Sequence, residues 1–210
     1  MSTELPRRQR PTGTRAKICI VASEYNEQYT QALVDNCSEE LAAVLPSARL
    51  EVVRVPGAFE IPVTIKSILS RSPEKRPDAV VALGVILRGS TDHADLIGST
   101  ITQALMQLAL EFTTPVIHEV LLLNDEKQAF ARCIASQLNR GREAARTAAR
   151  MAELFINSLA RQEATPSRPI FLPPSCSHAT KSDKQPFNTS TAPPNPRKSP
   201  ENRKKASGTS

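Results

Sequence analysis

Between residues 17 and 160, short runs rich in Val, Ile and Leu alternate with stretches whose apolar residues recur at helical spacing. The runs are Lys17–Ala22 (KICIVA), Arg49–Val55 (RLEVVRV), Ala79–Leu87 (AVVALGVIL) and Val116–Leu123 (VIHEVLLL). The third and fourth are near-continuously apolar, as in parallel strands covered on both faces. Leu33, Cys37, Leu41 and Leu45 form one helical stripe. Ile97, Ile101, Leu105, Leu108 and Phe112 form a second, and Ala145, Ala148, Ala152, Phe155 and Leu159 a third. Ile61, Ile65, Ile68 and Leu69 predict a helix after Pro56-Gly57, and Asp125–Ala135 predicts another. The order β-α-β-α-β-α-β-α-α implies an α/β domain, a parallel sheet with helices on both faces joined by right-handed crossovers. Ligands of such sheets lie at the carboxyl ends of the strands, so the chemistry is to be sought there.

The two ends of the chain have a different character. From about Glu163 onward, nine of the 17 prolines fall among Ser, Thr, Asn and Lys, and no apolar period survives. Such a segment buries too little surface to offset its chain entropy, so 161–210 is expected to be a disordered tail. Residues 1–15 read as a disordered basic head, which leaves 16–160 as the folded domain. The net charge of +6 follows this division. Residues 161–210 hold nine Lys/Arg against three Asp/Glu, 1–17 hold five against one, and 18–160 hold 13 against 17. Basicity confined to the ends disfavours a duplex-binding face on the domain, and no nucleic-acid partner is expected. No apolar run is long enough to cross a bilayer, and the first fifteen residues lack the apolar stretch of a secretory signal. The expectation is a cytoplasmic protein with no membrane partner. Cys19, Cys37, Cys133 and Cys176 form no CxxC pair, and read as reduced thiols, three of them core filler. Neither they nor the dispersed histidines have metal-ligand spacing, so no metal is expected.

At the end of the third run lies Arg88-Gly89-Ser90-Thr91-Asp92-His93, followed by a helix. Gly89 permits a tight turn, and Ser90, Thr91 or Asp92 can cap the helix. The turn reads either as a cap alone or as an anion site, built from free amides and the positive helix end and suited to phosphate. His93, in the first helical turn, is a candidate proton acceptor, since a positive helix end disfavours imidazolium; Asp92 and Asp95 push the other way. The second run ends in Val55-Pro56-Gly57-Ala58-Phe59-Glu60-Ile61-Pro62, where two prolines stiffen a turn carrying Phe59 and Glu60. That pair is either a buried aromatic with a helix-start carboxylate or a seat for a flat, hydroxyl-bearing ligand. The first run ends in Ser23-Glu24-Tyr25-Asn26, a second aromatic at the same edge. His118 lies inside the fourth run, as a core histidine or a ring-stacking surface, while His178 lies in the tail. Arg132 and Arg140 flank a loop ending Asn139-Arg140-Gly141, with Gly141 read as a turn residue, and arginine suits phosphate. Arg142, Arg146 and Arg150 recur every four residues and read as an exposed, solvated helix face.

VPGAFEIP (55–62), LGVILRGSTDHADLI (83–97) and NRG (139–141), in this order and spacing, resemble the lumazine synthases over roughly residues 17–157. The resemblance implies a flavodoxin-like three-layer sandwich with a four-stranded parallel sheet. It also implies self-association into pentamers, some of which pack into icosahedral shells, with active sites between neighbouring subunits. By position, Tyr25 matches the aromatic that stacks on the pyrimidine, with Asn26 beside it, and Phe59 and Glu60 match residues that hold the pyrimidine and its ribityl chain. Leu87 matches a ring contact, Ser90 and Thr91 the phosphate loop, His93 the proton-transfer histidine and, across the subunit interface, Arg132 the phosphate-binding arginine. His118 stands where phenylalanine is common, and Arg140 where lysine is. Two more departures are CIASQL at 133–138, in place of a Gly-Thr-Lys-Ala-Gly-like stretch, and Ala94 and Leu96 where aromatics are frequent.

The implied substrates are 5-amino-6-(D-ribitylamino)uracil and 3,4-dihydroxy-2-butanone 4-phosphate, and the implied products 6,7-dimethyl-8-ribityllumazine and phosphate. This chemistry needs proximity, proton transfer and a phosphate cradle, with no metal or organic cofactor. The retained histidine, arginine and GAFE turn imply an active enzyme. The altered 133–138 loop and His118 motivate the alternative of a catalytically weakened relative that binds flavins or lumazines, or forms a shell. For the tail, binding of RNA, membrane or cargo stands against a plain unstructured extension.

Overall fold

The computed structural model describes residues 7–164. Strand β1 (Lys17–Ser23) lies between β2 (Arg49–Val55) and β3 (Ala79–Leu87), and β4 (Val116–Leu123) completes the order β2-β1-β3-β4. All three pairings are parallel, with Ile18 opposite both Leu50 and Ala79, and Leu87 opposite Leu123. The inner strands β1 and β3 are buried along most of their length, which explains why their sequences do not alternate. Edge strand β2 is largely exposed and carries Leu50 and Val52 outward. Helices α1 (Glu27–Val44) and α5 (Arg140–Ala164) cover one face, burying Leu33, Cys37, Leu41, Ala145 and Ala148 with Ile18, Ile20 and Leu83. Helices α2 (Ile61–Leu69) and α3 (His93–Phe112) cover the other, where Ile61, Ile65, Leu69, Ile101 and Leu105 meet Cys19 and Val21. Each fully buried Leu or Ile contributes about 1.5–3 kcal/mol, so both faces are held by apolar burial. The result is an α/β fold of flavodoxin-like topology.

The stretch 125–135 is one helical turn, α4 (Glu126–Ala129), followed by a widened π-helical turn at Phe130–Ile134. Asp125 caps it by accepting from the Gln128 amide at 2.7 Å. Buried Asn139 closes the segment: its amide donates to the carbonyl of Cys133 at 2.8 Å, and its Oδ1 accepts from the Arg142 amide at 3.2 Å.

Two expectations change where α5 meets α1. Gly141 is inside α5 rather than in a turn before it, and a Cβ there would lie 2.5 Å from the Leu33 carbonyl oxygen. Its role is close helix approach. Arg142 and Arg146 do not lie on a solvated face. Arg142 donates to Asn36 at 3.1 Å and Arg146 to the buried Glu40 at 2.9 Å, because α1 presents that carboxylate to α5; Arg150 is exposed. The part of the head that is described also engages this seam. Arg8 pairs with Glu40 at 2.9 and 3.2 Å, Gln9 donates to the Arg146 carbonyl at 3.3 Å, and the Thr12 amide donates to the Val44 carbonyl at 3.3 Å. At the far end, the backbone of α5 continues past residue 160 to Ala164, and the rest of the 161–210 tail, with Cys176 and His178, lies outside the described residues. Cys19, Cys37 and Cys133 are buried, and burial pushes each thiol up to about 12.

Candidate active site

Parallel pairing brings all four strand ends to one edge of the sheet, and each of the four connections leaving it carries expected site residues. After β1, Asn26 adopts left-handed backbone (φ 58°), a conformation asparagine tolerates better than most residues. Its carbonyl starts α1 by accepting from the Tyr29 and Thr30 amides at 2.9 and 3.1 Å, while its side-chain amide donates across to the Val85 carbonyl of β3 at 2.8 Å. This turn leaves Tyr25 72% exposed, with its amide donating to the Pro56 carbonyl at 3.2 Å. After β2, a 3-10 turn at Ala58–Glu60 leads into α2 and leaves Phe59 58% exposed.

Gly57 joins these two turns. A Cβ on it would fall 2.7 Å from Glu60 Oε2 and 3.3 Å from Tyr25 Cδ2, so glycine is what lets ring and carboxylate converge. Tyr25, Asn26, Phe59, Glu60 and Leu87 line one cavity of about 320 Å³, together with Val85, Ile86 and Ile97. Aromatic and aliphatic walls with one carboxylate and one amide suit a flat heterocycle with hydrogen-bonding edges.

Beside it, β3 runs into the 88–92 turn. Ser90, Thr91 and His93 are exposed, and His93 is the first residue of α3. Asp92 occupies the cap position but makes no side-chain capping bond, so among the described residues no side chain closes the first amides of α3. Arg88 donates through Nε to Asp95 at 3.2 Å and also through Nη2, while its Nη1 donates to Asn124 Oδ1. The hydrogen bonds from this guanidinium hold the Asp95 carboxyl below its usual range. A second cavity, about 560 Å³, is lined by Arg88, Asn124, Gln128 and Arg132, which places the expected phosphate-binding arginine at the same sheet edge.

His118 and Arg140 do not line the Tyr25 cavity. His118 lies five residues before the end of β4, about 16 Å along the strand. Its Nδ1 accepts from the Val120 amide at 3.1 Å, so Nε2 carries the proton and donates to Thr102 Oγ1 at 2.8 Å. Burial lowers its pKa and favours this neutral form. Arg140 opens α5, pairs with Glu143, and has its Nε 3.9 Å from Glu119 Oε2. Burial dominates at Glu119, raising its carboxyl to about 7; Arg140 opposes this, Glu143 adds to it, and Arg132 opposes it weakly.

Gly57, Val85, Ile97, Arg88 and Asn124 went unassigned in the sequence reading. Gly57 and Arg88 stand inside the quoted motifs, yet the close packing of one and the partners of the other, 7 and 36 residues away, leave no mark on local pattern.

The sequence profile of 6,7-dimethyl-8-ribityllumazine synthase matches residues 15–155. Among similar curated proteins is the 6,7-dimethyl-8-ribityllumazine synthase of Polaromonas sp. (strain JS666 / ATCC BAA-500), 36% identical over 144 residues, 68% of this chain and 89% of that protein. The protein of the same name from Albidiferax ferrireducens is 35% identical over 147 residues, 70% of this chain and 89% of its own length. That of Nitrobacter hamburgensis is 36% identical over 148 residues, 70% of this chain and 90% of its own. With the profile spanning the whole sheet and the strand-end turns where the motifs lie, the chain belongs to the 6,7-dimethyl-8-ribityllumazine synthase family.

Proposed function

We infer that the protein is the transferase of riboflavin biosynthesis that condenses 5-amino-6-(D-ribitylamino)uracil with 3,4-dihydroxy-2-butanone 4-phosphate. The observation that carries this reading is the convergence of Tyr25, Phe59, Glu60 and Leu87 on one cavity beside the turn that ends in His93. The 5-amino group adds to the ketone and loses water to give an imine. Phosphate then leaves by elimination, and the ribityl-bearing nitrogen closes the ring with loss of a second water. Tyr25 and Leu87 bracket the pyrimidine, Phe59, Glu60 and Asn26 hold its edge and ribityl chain, and His93 moves protons. The amides at 89–91, with Ser90 and Thr91, and the Arg132 guanidinium bind the phosphate and stabilise it as it departs. No step calls for a metal or an organic cofactor.

Arg132, His118 and Arg140 enter this reading from a neighbouring subunit. Two features support a homo-oligomer, with a pentamer as its unit: His118 and Arg140 lie apart from the Tyr25 cavity, and β4 borders an apolar groove. That groove, about 640 Å³, is lined by Leu110, Val116, Ile117, His118, Met151 and Phe155. Arg140, paired with Glu119 and Glu143, backs the His118 surface. Among the described residues no helix is long and apolar enough to cross a membrane, and we place the enzyme in the cytoplasm. The test is direct. Purified protein given both substrates is expected to release fluorescent lumazine and one phosphate per turnover. Ligand binding without turnover by an assembled oligomer would overturn the reading in favour of a weakened relative.

A further inference from the structure

The turn between β3 and α3 has few ties to the rest of the fold. A Cβ on Gly89 would meet nothing within 4 Å, Ser90 to His93 are exposed, and Asp92 makes no side-chain cap. Its anchor is Arg88. The Arg88 amide donates to the Leu123 carbonyl at 2.9 Å, which extends the β3–β4 ladder by one bond. The guanidinium then reaches in two directions. It grips both carboxylate oxygens of Asp95, two residues beyond His93 on α3, and it donates to Asn124, the first residue after β4. Asn124 is itself tied to the following segment, its amide donating to Gln128 Oε1 at 3.1 Å. One side chain thus joins the end of β3, the first turn of α3 and the connection that leads to Arg132, and it shares a cavity wall with Arg132.

We propose that Arg88 is a positioning residue for the condensation: through Asp95 and Asn124 it sets the place of the 89–93 turn, and so of His93 and the phosphate-facing amides, against the sheet edge. This rests on the reading of the site given above. Arg88 and Asp95 are both exposed, 43% and 50%, so solvent screens the pair and its contribution to stability is modest. Catalysis is far more sensitive to place, since a displacement of about 1 Å at a reacting group costs on the order of 100-fold in rate. The two roles therefore separate in measurement.

The experiment compares wild type with Arg88→Ala, Arg88→Lys and Asp95→Asn, and with Arg71→Ala as a control that removes another exposed pair, with Glu51. Steady-state rates are measured against each substrate, with thermal midpoints and mass-spectrometric hydrogen exchange of the 89–96 amides. For Arg88→Ala the expected result is a KM for the sugar phosphate raised about tenfold and a kcat lowered about tenfold, by loss of orientation. The KM for the pyrimidine stays within about twofold, the midpoint within a few degrees, and the 89–96 amides exchange faster. Arg88→Lys, which reaches Asp95 or Asn124 but not both, falls between; Asp95→Asn follows Arg88→Ala in direction; Arg71→Ala matches wild type. Unchanged kinetics and exchange in Arg88→Ala overturn the proposal, as does a loss of midpoint with both KM values unaltered. Failure of the wild type to make lumazine overturns the functional reading instead, and the exchange comparison still decides whether Arg88 holds the turn.

Discussion

Replacing Glu119 by Gln is expected to change how stability depends on pH more than any surface substitution. Glu119 is 12% exposed, on β4 beneath the first turn of α5, with its Oε2 3.9 Å from Arg140 Nε. Burial raises its carboxyl from 4.5 to about 7 despite Arg140, with Glu143 adding and Arg132 opposing. A folded carboxyl that holds its proton more tightly than the unfolded one stabilises the fold fully below about 4.5, and that stability is lost as pH rises through 7. At 1.36 kcal/mol for each tenfold in proton affinity, the loss amounts to roughly 3 kcal/mol. Glutamine occupies the same volume without titrating, and Arg140 retains Glu143 as its partner.

Wild type and Glu119→Gln should therefore be about equally stable near pH 5, and above pH 8 the variant should be more stable by about 2–3 kcal/mol. The assay is urea denaturation followed by fluorescence or circular dichroism from pH 5 to pH 9. Protein concentration is held fixed, because subunit association adds to apparent stability. With slopes of about 1–3 kcal/mol per molar urea, the separation at high pH is on the order of 1 M in midpoint. Parallel curves would refute the reasoning. So would a variant less stable than wild type at pH 8, which would mean that Glu119 is ionised in the fold and held by Arg140.

Three other substitutions test separate parts of the structure. Gly141→Ala, a change that stabilises an ordinary helix by roughly 1 kcal/mol, is expected to cost about 1–3 kcal/mol here, because the new Cβ meets the Leu33 carbonyl at 2.5 Å; a thermal midpoint at or above wild type would show that α1 yields. His93→Ala should lower kcat by about 100-fold or more with little change in either KM, as removal of a proton-transfer group does, and a kcat within twofold of wild type would take His93 out of the mechanism. Tyr25→Ala should raise the pyrimidine KM by about three- to tenfold, the worth of one stacked ring, and leave the sugar-phosphate KM unchanged; equal effects on both would mean that Tyr25 shapes the turn rather than the ring site.

Much of this fold was legible because β3 and β4 are covered on both faces and must be apolar at nearly every position, which brackets them sharply. The same logic made the interruption at His118-Glu119 visible, though not its meaning, since the partners Thr102 and Arg140 come from α3 and α5. The Tyr25 cavity was half legible: strand-end position and the GAFE motif indicated Phe59 and Glu60, while Gly57 needed the packing of Tyr25 against Glu60 to acquire a role. Arg142 and Arg146 misled because helical spacing says which residues share a face, not what that face meets, and here it meets a buried carboxylate on α1. The π-helical turn at Phe130–Ile134 left no trace for a related reason. One extra residue in a turn shifts the apolar phase only locally, and the pattern on either side still reads as a helix.

In the proposed site, the two substrates are served by parts of the edge that differ in how firmly they are built. The pyrimidine side is preorganised: the Asn26 amide bonds to β3, Thr30 Oγ1 bonds to the Tyr25 carbonyl at 2.9 Å, and Gly57 is closed in by ring and carboxylate. The turn at 89–93 has open space around Gly89 and depends on one guanidinium. A flat heterocycle gains most from walls already in place, because little side-chain freedom is lost when it binds. A phosphate brings its own charge, and can draw amides and Arg132 around it as it arrives. The departing phosphate must also be released, and a turn with few other ties recovers its freedom when the anion leaves. Loose construction beside the leaving group and firm construction beside the ring thus meet different demands of one reaction, and Arg88 stands where the firm part hands over to the loose one.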